Sequence, residues 1–110
     1  MPATRGEIWL VDLGYAAKVR PALVMSVPPG DADRALVTIV PHTTACRQSR
    51  FEVATRLRFL KPGAFDAQNL VTIPVAKLIR QLGELSPEQL ADVEQTIALW
   101  LGLELAGRQS

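Results

Sequence analysis

Apolar positions along this chain come first in short runs and then in a helical repeat. EIWLVDL, residues 7–13, is rich in Ile, Trp, Leu and Val and starts just after Gly6, which predicts a strand. PALVMSV, residues 21–27, predicts a second, with Pro21 tolerated at its first position. PPGDADR, residues 28–34, is a turn cluster. ALVTIVP, residues 35–41, predicts a third strand, with Val37, Ile39 and Val40 β-branched. HTTACRQSR, residues 42–50, reads as a polar loop. In residues 51–60, Phe51, Val53, Leu57 and Phe59 share one parity and Glu52, Arg56 and Arg58 the other, which predicts a half-exposed strand with a basic outer row. KPGAFDAQ, residues 61–68, reads as a turn, and NLVTIPV, residues 69–75, as a strand that Pro74 ends or bends. AKLIRQLG, residues 76–83, fits either a short strand or a helical turn.

The period then changes. Leu90, Val93, Ile97, Trp100 and Leu101 recur at three- and four-residue steps, so one helix face is predicted to be buried. Ser86 fits the N-cap, Pro87 the first helical position, and Gln89 completes a capping box. Leu85 and Leu90 are spaced for a hydrophobic staple, and Gly102 is the expected stop. The helix is therefore expected at about 87–101. Short strands followed by one capped amphipathic helix predict a mainly β (α+β) protein: a small, antiparallel barrel closed by a C-terminal helix, as a single domain over residues 1–110.

A net charge of +1 hides an asymmetry. Residues 1–80 hold eleven basic and six acidic side chains, whereas residues 81–110 hold one basic and five acidic. A basic body suits an anionic partner, although solvated surface charge reads the same way. The single cysteine, Cys46, cannot form an internal disulfide, which suits a reducing cytoplasm. The expectation is a chain without a signal peptide, and no run reaches the ~18 apolar residues of a membrane helix.

Candidate chemistry is sparse. One His and one Cys predict no metal site, and the scattered glycines form no phosphate-cradling loop, so no cofactor is expected. What remains lies at strand ends. Arg20 precedes the second strand and PHTT, residues 41–44, closes the third. If these strands are antiparallel neighbours, Arg20 meets His42, Thr43 and Thr44. A planar guanidinium donates two parallel hydrogen bonds to an oxyanion, and a threonine hydroxyl adds a third. The bland alternative is a solvated edge arginine beside turn-forming threonines.

Five pieces in order, RGEIWLVDL, RPALVMS, VTIVPHTT, QNLVTIPVAKL and LGELSPEQLADVEQTIALWLGL, resemble the MazF/PemK toxins of bacterial toxin–antitoxin modules, from Arg5 to about Leu103. The resemblance implies an SH3-like barrel, a homodimer and a metal-independent endoribonuclease that cuts single-stranded RNA, leaving a 2′,3′-cyclic phosphate and a 5′-hydroxyl. It implies Arg20 and Thr43 as catalytic residues, and Lys18, Tyr15, Thr44, Gln68 and Asn69 are the expected RNA contacts. His42 is a possible general base, although alternation turns it away from a site that Thr43 faces. It also implies an acidic antitoxin competing for the cationic groove. Many relatives carry a glutamate a few residues before the arginine; here Tyr15 and Ala16 fill that region, and Tyr15 suits stacking on a base. Two alternatives stay open: a non-catalytic, protein-binding toxin of the same barrel, of the CcdB type, and a degenerate member that only binds antitoxin.

Overall fold

The computed structural model describes residues 3–14 and 19–104. Tyr15 and Lys18 lie outside the described residues. Among the described residues seven strands precede one α-helix: β1 (Glu7–Asp12), β2 (Val19–Val24), β3 (Leu36–Thr43), β4 (Glu52–Thr55), β5 (Gly63–Asp66), β6 (Val71–Pro74), β7 (Leu78–Glu84) and α1 (Pro87–Leu101). Strand pairings among the described residues are antiparallel, in the order β4-β5-β3-β2-β1-β7. β3 is the spine. One of its edges pairs with β2; the other is shared by β5 near Thr43 and by β6 near Leu36. The sheet is barrel-like but not closed, since β4 and β7 end it without pairing to each other.

Because β2 and β3 carry apolar residues at successive positions, both faces of the sheet bury side chains. On one face Ile8, Leu23, Val40 and Phe65 pack with Leu85 and Val93 beneath the helix. On the other, Val11, Ala22, Val24, Val37 and Ile39 form a second core. Ser86 Oγ accepts the Gln89 N–H at 3.2 Å, Gln89 Oε1 accepts the Ser86 N–H at 2.9 Å, and Gly102 caps the end at φ 70°. The helix thus occupies the predicted span. Its predicted face is only partly right. Val93 and Ala98 are buried, but Trp100 and Leu101, in the last turn, are exposed, with the Trp100 ring edge-on to Phe51 at 5.1 Å.

The strands depart from expectation in several places. β2 begins at Val19 rather than Pro21, so Arg20 lies inside the strand, and it stops at Val24 rather than Val27. There the Ser26 hydroxyl takes the Thr38 N–H at 2.9 Å and interrupts the ladder. β3 runs through His42 to Thr43, although that segment reads as loop. β4 covers only Glu52–Thr55 of the ten residues expected, because its partner β5 is four residues long and the chain turns back at Leu57–Leu60. β5 itself lies within the expected turn of residues 61–68. Residues 76–83 resolve as the end of a 3-10 turn (Val75–Lys77) followed by β7.

Candidate functional site

The β2–β3 register pairs Ala22 with Pro41 and Val24 with Ile39. Continuing it by two residues sets Arg20 opposite Thr43, and directly opposite residues share a face. These two residues and His42, Thr44 and Lys61 line one cavity of about 430 Å³ at the rim of the sheet, walled by Phe59 and Leu60. The 56–62 loop reaches this rim because β5 starts beside the end of β3, with Ala64 paired to Thr43. Gly63 makes that approach possible. A Cβ there would collide with the Thr43 carbonyl oxygen and stand 2.8 Å from His42 Cε1.

Three polar side chains in the cavity have defined surroundings. Among the described residues Arg20 has no hydrogen-bond or ion-pair partner, and a guanidinium carries five donors. Thr43 Oγ1 accepts the Ala45 N–H at 3.0 Å, which orients the hydroxyl and leaves its proton to donate. His42 is buried, its ring edge-on to Phe65 at 5.2 Å, and its Nε2 has no partner. Burial first, and then the Arg20 charge, hold the imidazole below its ordinary value of 6.5, so it is neutral at pH 7. The loop after Thr44 is held by Glu52, whose carboxylate accepts the Arg47 and Ser49 N–H groups at 3.0 Å. The Arg47 bond leads the interactions that lower its pKa.

The rim therefore gathers Arg20, His42, Thr43 and Thr44. Gln68 and Asn69 are elsewhere, on the 3-10 turn Ala67–Asn69 packed against α1, where Asn69 Nδ2 donates to Asp66 at 2.6 Å. Neither lines the cavity. Sequence reasoning missed Lys61, Phe59 and Leu60, which reach the rim only because the chain turns back after β4. Among the described residues no group of three His, Cys, Asp or Glu is placed to hold a metal ion, and no helix is long and apolar enough to cross a membrane.

A guanidinium and an oriented hydroxyl side by side on the rim of a small β sheet are donors of the kind that suit an oxyanion. Residues 4–101 match the family described as PemK-like, MazF-like toxin of type II toxin-antitoxin system, and the chain belongs to that family. Endoribonuclease MazF9 of Mycobacterium tuberculosis is 31% identical, covering 90% of this chain and 96% of its own. Endoribonuclease MazF4 of the same species is 32% identical, covering 90% and 92%. Among solved structures, a mycobacterial endoribonuclease in complex with its cognate antitoxin superposes with a TM-score of 0.79 at 29% identity, covering 94% of this chain and 98% of that one. The M. tuberculosis toxin MazF-mt6 superposes at 0.77 and 29% identity, covering 90% and 99%.

Proposed function

We propose that this protein is the toxin of a type II toxin–antitoxin module, a metal-independent, sequence-specific endoribonuclease that cuts single-stranded RNA and leaves 2′,3′-cyclic phosphate and 5′-hydroxyl ends. The observation that carries the reading is that Arg20, with no hydrogen-bond or ion-pair partner among the described residues, and Thr43, with its hydroxyl oriented, line one cavity at the β2–β3 rim. In the reaction the 2′-oxygen bonds to the adjacent phosphorus and the bond to the 5′-oxygen breaks. One proton leaves the 2′-hydroxyl and one reaches the 5′-oxygen. Negative charge builds on the phosphoryl oxygens in between. Arg20 meets that charge with two parallel N–H groups, and Thr43 donates its hydroxyl proton to a phosphoryl oxygen. Thr44 and Lys61 hold the neighbouring backbone at the cavity mouth.

Proton removal is the harder part. Arginine is a poor acceptor at its ordinary pKa. His42 is the side chain here whose ordinary pKa suits a base, yet its Nε2 is buried, so it takes a proton only if the ring turns out into the cavity. The protein acts as a homodimer in the cytoplasm, and an acidic antitoxin segment neutralises it by laying carboxylates on the same cations. The test is incubation with a long single-stranded RNA in EDTA, with primer extension and end-group analysis. The expected result is discrete cuts ending in cyclic phosphate; random degradation, or 3′-hydroxyl ends, would refute the mechanism.

A further inference from the structure

A second cavity, of about 680 Å³, opens beside the first. A single stretch of chain walls it, from Ala54 in β4 round to Gly63 at the start of β5, and Leu60 belongs to both cavities. Leu57, Leu60 and Pro62 supply an apolar shelf, and Arg56 and Arg58 stand around it. Both arginines are exposed, and neither has an ion-pair partner among the described residues. Thr55 Oγ1, also in the wall, is buried without a hydrogen-bond partner. The basic row read from alternation is thus not the outer face of a strand. It is the cationic rim of a hollow that shares Leu60 with the cavity holding Arg20.

Two unpaired guanidinium groups over an apolar shelf fit one ligand chemistry well. A guanidinium plane stacks on a base and donates to phosphate, and the shelf takes the base's apolar face. We propose that this cavity is a second nucleotide subsite, in which Arg56 and Arg58 hold the single-stranded RNA next to the scissile phosphate at Arg20. The inference rests on the ribonuclease reading. It adds that part of the RNA's affinity, and the choice of a base flanking the cut, reside in the 56–62 loop.

The test is binding rather than cleavage, so that the two readings separate. The probe is a 2′-O-methyl single-stranded RNA of mixed sequence, about 12 nucleotides long and within the span of such grooves. It cannot be cut, because its nucleophile is blocked. The Arg56→Ala/Arg58→Ala variant is expected to bind roughly tenfold more weakly than wild type by fluorescence anisotropy. Its slope of log affinity against log salt should flatten by about 0.7 for each phosphate that the variant no longer neutralises. Arg34→Ala removes one charge from the 28–34 turn, outside both cavities, and should change neither quantity. If the double variant keeps its circular dichroism spectrum, wild-type affinity and wild-type salt slope while Arg20→Ala weakens binding, the subsite is refuted and the ribonuclease reading stands. If the double variant loses affinity only for an acidic antitoxin peptide, the cavity is a protein-docking surface and the proposal is wrong. If wild type neither binds nor cuts any RNA, both readings fall together.

Discussion

His42 is the residue whose state is most tightly set by its surroundings. It sits between the Phe65 ring and the Arg20 charge, with Nε2 buried and unpartnered. Both burial and Arg20 disfavour the imidazolium, so the folded-state pKa lies below that of the unfolded chain. The unfolded state then binds more protons as the pH drops below 6.5, and His42 contributes stability that is full above that value and lost beneath it. Unfolding midpoints in urea should fall from pH 7 to pH 5.5, and His42→Gln should flatten that part of the profile. Direct NMR titration should show the His42 ring titrating below 6.5, with Arg20→Gln moving it partway back. A ring titrating at or above 6.5 would mean that it is solvated or paired. Gly63 is constrained differently, by a backbone it nearly touches. Gly63→Ala must push the end of β3 away, at a cost of about 1–3 kcal/mol in a chemical melt. It should also reduce cleavage, because Thr43 moves with its carbonyl.

At the scale of elements, the helix and the β4–β5 hairpin mark the limits of what the sequence discloses. α1 is legible to the residue because its signals are local: Ser86, Pro87, Gln89 and Gly102 each act on backbone within one turn. Ser86→Ala should therefore destabilise the protein by about 1 kcal/mol, measured by thermal or urea unfolding. The exposure of Trp100 and Leu101 is not legible, since periodicity reports a helix's apolar face but not how far the sheet beneath it extends. The hairpin escapes sequence reasoning for the same kind of cause. Alternation lapses at Ala54 and Thr55 and resumes to Phe59, but a strand lasts only as long as its partner, and β5 offers four residues. Gly63 reads as turn punctuation because a close backbone approach and a turn call for the same residue.

For the whole molecule, the basic body lends Arg20, Lys61, Arg56 and Arg58 to the walls of two cavities, and the acidic end is the capped helix. Arg5 ties the two by pairing with Glu94 while donating to the Met25 carbonyl at 2.7 Å. That Arg20 and Thr43 meet at one cavity is readable because it follows from β2 and β3 being antiparallel neighbours. Lys61 and the Arg56–Arg58 hollow are not, since they depend on where a loop folds back. Gln68 and Asn69 enter through family resemblance and stand away from the rim, packed beside the helix. Cleavage, in this reading, turns on Arg20 stabilising the charge that builds on a phosphoryl group. That role is tested by the single-turnover cleavage rate, in EDTA, of wild type and Arg20→Ala on one mapped RNA, with melting curves alongside. The variant should lose at least about a hundredfold in rate with an unchanged melt, as for removal of other oxyanion donors. A rate within about twofold of wild type, far less than one such donor is worth, would show that Arg20 does not stabilise the transition state.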